Sequence, residues 1–500
     1  MRDLASTVVR NSAVGMSAQL AVRLLSFGFS VLIVRNLGAG TYGQYSAVLA
    51  FGAMFVIVSD LGLSPYAVRE VARWRDVAGG QEQTERLYGN VLVSRLLLSL
   101  LTIILTVSSA WLTGRPLIMI GGIVLASMSL LLYAVQGASD ALLAGFERLD
   151  LSARARIPNQ LAFVVLGAVA LLIGIGYYGL IVANLVGVAV MTGICWQAVR
   201  RLGVRPRRAT RQAWPVLVRA SLPFGVIGFA QGLSYNFDSV LLNVFRGDAE
   251  TGYYNAAYKL VFAAVVVSNV VNTALYPSLA RQAASGPELL PAIYERVARY
   301  LMLLSLPIAV GTWALAGRLL SFLYTAAFLP AVPALQIVIW VTPLMFASEF
   351  LGYVVIIQGD EKLVARSLLV STGANVALNV VLVPRFGLLG AAAMTVITEA
   401  ILVGQYVWLL RSLIRQFDWN VALFRPLTAA LLMGGVLLVL RSLSLPAEVL
   451  AGALTYAGLL VALGVVGKDE LSFVRRLRQQ LALADTVAMT STLHHGADRR

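Results

Sequence analysis

The chain has 500 residues, 59% of them hydrophobic and only 13% charged, with a formal net charge of +15 and a mean hydropathy of +0.81. An ordinary globular domain is about a quarter charged, so a water-soluble protein is excluded. A lone cysteine, Cys195, excludes an internal disulfide, and two histidines, His494 and His495, both in the polar tail, exclude Cys/His metal chemistry. The cations do not cluster on a soluble domain, so nucleic acid is not the expected partner; the positive charge reads as membrane topology.

Apolar residues come in nearly charge-free runs of about 20, the length that crosses a ~30 Å hydrocarbon core as a helix. The ~10-residue alternating segments of a membrane barrel are missing, and backbone in lipid must bond within its own segment. About fourteen transmembrane helices are therefore predicted, at 12–34, 42–64, 88–112, 117–139, 158–178, 179–199, 219–245, 252–277, 297–317, 331–357, 363–384, 386–410, 424–443 and 447–466. The first run is too long for a signal-peptide core and lacks a small-residue cleavage site. Alternate loops hold the basic residues: Arg69, Arg73, Arg75 and Arg86, then Arg148, Arg154 and Arg156, then Arg200, Arg201, Arg205, Arg207, Arg208 and Arg211. Of 39 Lys and Arg, about 30 fall on this side and six on the other (Arg35, Arg115, Arg246, Arg318, Arg385, Arg441). The positive-inside rule then predicts that both termini are cytoplasmic.

Loops are too short for a soluble catalytic domain, so no enzyme is expected. The predicted organisation is an N-terminal lobe with a basic linker (1–212), a second lobe (213–415), two further helices (416–470) and a cytoplasmic tail (471–500). The piece 473–484 suits either an amphipathic helix on the anionic leaflet or a solvated tail.

An internal repeat supports the two lobes. At a constant offset of 209, Ser30, Val31, Leu32, Gly38, Gly43, Tyr45 and Ala47 meet Ser239, Val240, Leu241, Gly247, Gly252, Tyr254 and Ala256. Six helices per half is even, so both halves enter from the same side. They are expected to be parallel repeats about an axis along the membrane normal, with the substrate path between them.

The stretch L-L-S-F-G-F-S-V-L-I-V-R-N-L-G-A-G-T-Y-G-Q-Y-S (24–46), D-L-G-L (60–63) and R-E-V-A-R (69–73) resembles bacterial polysaccharide biosynthesis membrane proteins. These are the O-antigen and teichoic-acid type flippases of the multidrug/oligosaccharidyl-lipid/polysaccharide exporter superfamily. S-L-P-F-G (221–225), G-D-A-E-T-G-Y-Y-N-A-A-Y (247–258) and G-L-L-G-A-A-A-M-T (387–395) fit the same pattern. The resemblance covers helices 1 to 12. It implies flipping of an undecaprenyl-diphosphate-linked oligosaccharide to the outer leaflet of a bacterial or archaeal cytoplasmic membrane, by alternating access. Na⁺ or H⁺ would drive it, with no other cofactor. Implied partners are the lipid-linked oligosaccharide, the bilayer, and glycan polymerases or glycosyltransferases of the same pathway.

Ionisable residues inside spans are costly and become candidates by default. Arg23 lies mid-span, about 18 Å from either end at 1.5 Å per residue, too deep to snorkel. The resemblance places an arginine here facing the central cavity, against a structural ion pair as the alternative. Arg95, Arg299 and Lys259 are the further candidate substrate-binding cations; snorkelling explains Lys259 equally well. Asp238 in helix 7, Asn375 and Asn379 in helix 11, and Thr395 and Glu399 in helix 12 converge as oxygen donors suited to a hard cation. The resemblance implies cation coupling through second-lobe positions of this kind; polar interhelical contacts are the alternative. Glu399 and Glu349 could also carry a proton or pair with an arginine, and Asp60 and Asp140 read as interfacial. The rival functions are a cation-coupled drug exporter of the same superfamily, which would carry an acid rather than Arg23 in helix 1, and a membrane glycan polymerase or transferase.

Overall fold

The computed structural model describes residues 2–210, 212, 214–285 and 290–465; the predicted tail 471–500 lies outside the described residues. Among these the chain is helical, with no strand. In order come α1 (Arg2–Phe55), a 3-10 turn (Val56–Ser59), α2 (Leu63–Trp74), α3 (Gly80–Leu112), α4 (Leu117–Ser127), α5 (Ser129–Gly145), α6 (Leu149–Leu172) and α7 (Tyr177–Arg201). The second half holds α8 (Trp214–Arg246), α9 (Asp248–Ser285), α10 (Leu290–Leu323), α11 (Val332–Val338), α12 (Val341–Ile357) and α13 (Glu361–Leu409), followed by α14 (Arg411–Ile414), α15 (Arg425–Val439) and α16 (Leu445–Ala462).

Nine stretches of the described residues are long and apolar enough to span a bilayer. Two of them, Val22–Trp74 and Glu361–Leu409, are 53 and 49 residues long, about twice the ~20 needed. The first breaks at Gly38 (φ 70°, ψ 173°) and turns again at Leu61 and Gly62, and the second breaks at Gly387 (φ 56°, ψ −134°). Counting both twice, and adding the bent pair Ala326–Val338 with Val341–Ile357 and the long helices α8 and α9, gives fourteen crossings among the described residues. The protein is a multi-pass integral membrane protein of the predicted class.

Several boundaries move. The loop expected after residue 34 is a single non-helical residue, Gly38, inside an otherwise continuous helix. The span predicted at 158–178 instead begins at Leu149 and ends at Leu172, because Gly174 (φ 77°) and Gly176 (φ 71°) adopt a conformation that stops a helix. The second predicted span ends in a 3-10 turn at Val56–Ser59.

By packing, the chain divides into two units. One comprises the residues up to Asn272 together with Ala316–Leu409; the other comprises Thr273–Leu315 and the residues from Leu410 on. In the second unit, the Tyr456 hydroxyl donates to the Leu303 carbonyl (3.0 Å) and Arg425 Nη1 to that of Leu463 (3.0 Å).

The first unit contains the repeated turns, and they meet reciprocally. A Cβ on Gly43 would overlap the Asp248 carbonyl, and one on Gly252 would overlap the Ala39 carbonyl. Residues 39 and 248, like 43 and 252, are 209 apart, so each turn presents its glycine to the other's backbone as a two-fold axis requires. Gly38 and Gly247 (φ 87°) supply the left-handed residue at equivalent positions. Polar bonds tie the same end: Gln44 Nε2 to Asp248 Oδ2 (2.9 Å), Asn243 Nδ2 to Asp248 Oδ1 (2.7 Å), and Arg115 Nη1 to the Asn243 carbonyl and side-chain oxygens (both 2.9 Å). Toward its other end α8 lies against the end of α1 and the residues after it, where a Cβ on Gly228 would stand 2.5 Å from Ile57 Cδ1 and one on Gly225 2.8 Å from the Leu61 carbonyl. The halves therefore touch near both ends of this seam.

The basic linker is pinned to the start of α3. Arg207 binds Glu82 (2.7 Å) and Glu85 (3.1 Å), its carbonyl occupies the space a Gly89 Cβ would need, and the Thr210 amide donates to Asn90 Oδ1 (2.7 Å).

Candidate functional site

Arg23 lies in α1, 15 residues before Gly38, a helical distance of about 22 Å. It is half-buried and makes no hydrogen bond or ion pair among the described residues.

Arg95 has a different environment. It is buried at 6% exposure, with its Nη1 donating to Asp60 Oδ1 and Ser64 Oγ and its Nη2 to the Tyr133 carbonyl (3.3 Å). Asp60 also accepts from the Ser64 amide (3.2 Å) and hydroxyl (2.7 Å). Gly137 makes the room, since a Cβ there would stand 2.7 Å from the guanidinium carbon. Asp60 is thus the internal partner of Arg95. Asp140 is likewise internal, accepting from Ser152 Oγ (2.6 Å) and Cys195 Sγ (3.3 Å).

Lys259 on α9 places its ammonium 5.2 Å from the centre of the Tyr42 ring on α1, a cation–π contact between the two halves. Arg299 on α10 lies in the second packing unit, its guanidinium 5.6 Å from the Tyr300 ring centre. Within the first unit, Arg95 and Lys259 are held by different partners, and Arg23 by none among the described residues.

The second-half oxygens do come together, through two hydrogen-bonded chains. Asp238, 3% exposed, accepts from the Tyr254 hydroxyl and the Ser239 amide (2.8 Å); the Tyr254 hydroxyl is also 3.0 Å from Thr395 Oγ1. Asn379 Nδ2 donates to Asn375 Oδ1 (3.1 Å), and Asn375 Nδ2 to Thr398 Oγ1 (3.3 Å). Thr395 and Thr398, one turn apart on α13, lie on one face and join the two chains. Asn379 Oδ1 is fully buried without a hydrogen-bond partner among the described residues; such an orphan acceptor calls for an explanation. Tyr254 and Thr398 are not among the predicted site residues. The signals were available: Tyr254 is the repeat counterpart of Tyr45, and Thr398 stands at i+3 from Thr395.

Glu399 lies off this network. It accepts from Ser348 Oγ and lines a cavity of about 390 Å³ with Glu349, Asn375, Thr395 and Thr398.

A family model for polysaccharide biosynthesis proteins matches residues 8–282, more than half of the chain. The chain belongs to that family. The MatE model matches residues 223–381. Among similar proteins, "Probable low-salt glycan biosynthesis flippase Agl15" of Haloferax volcanii is 20% identical over 381 residues, covering 75% of this chain and 78% of that protein. "Uncharacterized membrane protein MJ1068" of Methanocaldococcus jannaschii is 26% identical over 210 residues, 40% of each chain. The fold is that of the lipid II flippase MurJ in an inward closed conformation, with a TM-score of 0.76 at 14% identity over 89% of this chain and 98% of that one. An inward-facing multidrug resistance MATE transporter of the MOP superfamily superposes with a TM-score of 0.65 at 14% identity, over 79% and 95% of the two chains. Of these similar proteins, one is named a probable flippase, one a flippase and one a transporter.

Proposed function

We propose that this transporter moves an undecaprenyl-diphosphate-linked oligosaccharide from the cytoplasmic to the outer leaflet by alternating access of its two halves, with Na⁺ or H⁺ as the coupling ion. The observation that carries this reading is Arg23: a half-buried guanidinium about 22 Å along the helix from its break, with no carboxylate bonded to it among the described residues. A charge so placed is costly without an anion or a wet cavity, and a lipid diphosphate would meet that need while its polyprenyl tail stays in lipid. The reciprocal seam at Gly43 and Gly252 supplies an outer closure that must part for release.

Leaflet exchange of a short-chain lipid-diphosphate sugar in vesicles tests the reading. Charge-assisted hydrogen bonds contribute about 1.5–3 kcal/mol, so Arg23→Ala is expected to slow exchange roughly ten- to hundredfold with insertion intact. Full activity in Arg23→Ala would remove that residue from the mechanism. The drug-exporter alternative draws on the MatE match and predicts instead transport of an organic cation with no exchange of the lipid.

Asp238, Asn375, Asn379 and Thr395 are the residues to hold the coupling ion. A carboxylate, two amides and a hydroxyl are an oxygen set for a hard cation, and the buried, unpaired Asn379 Oδ1 fits that chemistry. With Na⁺ replaced by choline at fixed pH, transport by the unsubstituted protein should fall, whereas Asp238→Asn should be slow in both media. Undiminished exchange in choline would turn the coupling reading toward H⁺.

A further inference from the structure

The cavity in the second half carries two carboxylates, Glu349 and Glu399, that neither the diphosphate step nor the cation centre uses, although Asn375 and Thr395 of that centre also line it. Its volume of about 390 Å³ falls in the ~300–1,000 Å³ range of small-molecule sites. Glu349 and Glu399 both line it, and no lysine or arginine is among the described residues that do. Glu349 accepts from Ser268 Oγ (2.7 Å) and Asn272 Nδ2 (3.4 Å), both on Oε2, while Glu399 accepts from Ser348 on Oε1. The other oxygen of each carboxylate has no partner among the described residues.

Two tyrosines add hydroxyls to the same wall. Tyr258 and Tyr406 line the cavity at 7% and 4% exposure, and neither hydroxyl has a hydrogen-bond partner among the described residues. A polar occupant of the cavity would give these two hydroxyls a partner. The Tyr235 ring completes an aromatic wall, packed on Phe262 (6.2 Å between centroids) beside Tyr258 (4.6 Å from Phe262).

We propose that this cavity binds a sugar unit bearing a protonated amine, a part of the lipid-linked headgroup; this rests on the flippase reading above. A neutral sugar would leave two carboxylates without a counter-charge in a membrane-embedded site, which is costly. A bare metal ion would satisfy the carboxylates but leave the tyrosine hydroxyls unpaired and most of the volume empty. An ammonium on a hydroxylated ring answers all three features: its charge meets Glu349 and Glu399, its hydroxyls meet Tyr258 and Tyr406, and the aromatic faces favour a cation.

The test is calorimetric titration of the purified full-length protein with D-glucosamine, at a pH that keeps the amine protonated, beside D-glucose and tetramethylammonium. Saturable glucosamine binding is expected, with glucose and tetramethylammonium each at least about tenfold weaker. Glu349→Gln and Glu399→Gln should each weaken glucosamine about tenfold or more, and Tyr258→Phe and Tyr406→Phe about threefold to tenfold. Glucose binding as tightly as glucosamine would overturn the ammonium requirement; tetramethylammonium binding as tightly would make the cavity a general organic-cation site and overturn the sugar assignment. Absence of glucosamine binding in a protein that still exchanges the lipid-diphosphate sugar would sink this proposal alone. Intact glucosamine binding without lipid exchange would instead sink the flippase reading.

Discussion

Gly43→Ala is expected to slow leaflet exchange about tenfold to a hundredfold while the protein still folds and inserts, because a Cβ at this position collides with the Asp248 carbonyl of the facing turn. Overpacking a tight contact costs about 1–3 kcal/mol, and here the strain falls on the state in which the two turns meet, not on the fold of either half. Every 1.4 kcal/mol shifts a two-state population tenfold. Gly252→Ala, the repeat counterpart, should behave alike because it meets the Ala39 carbonyl. Gly40 is the internal control: nothing lies within 4 Å of a Cβ there, and the second repeat already carries an alanine, Ala249, at the equivalent position. Gly40→Ala should therefore transport normally. Matched rates for Gly43→Ala and Gly40→Ala would refute a closing role for this contact.

Arg95→Ala is expected to lower the melting temperature in detergent by at least about 5 °C, since removing one partner of a buried ion pair costs about 3–5 kcal/mol. Asp60 would be left charged, retaining only its bonds from Ser64. Adding Asp60→Asn removes that stranded charge, so the double variant should recover a good part of the loss; the shortfall from additivity measures the coupling. The same pair decides what Arg95 is for. A variant of normal stability that no longer transports would mean that the guanidinium serves the substrate, whereas lost stability assigns it to holding α3 against the turn that follows α1.

Much of this could be read along the chain. Apolar run length marks each crossing locally, because every span must satisfy its own backbone, so the fourteen spans were legible even where their edges were not. The edges were misjudged where glycine decides. Gly38 breaks α1 without a loop, and Gly174 with Gly176 ends α6 at Leu172; a hydropathy pattern cannot register a φ angle. The offset of 209 identified the repeat, and four of its residues proved to face one another across the structure.

Composition and pattern alone determined the class of this molecule, its span count and its internal repeat, and the motifs pointed to its family, since these depend on local run length and residue identity. Partnership was decided by tertiary structure. Arg23 and Arg95 look alike in sequence, each a lone cation in an apolar helix, yet Arg95 meets an aspartate 35 positions away while Arg23 meets no carboxylate among the described residues. The pairing of Asp238 with Thr395 through Tyr254, and the cavity that gathers Glu349, Glu399, Tyr258 and Tyr406, likewise depend on how distant helices stack. Whether a buried charge is answered is a matter of distance in space, which spacing along a chain does not specify.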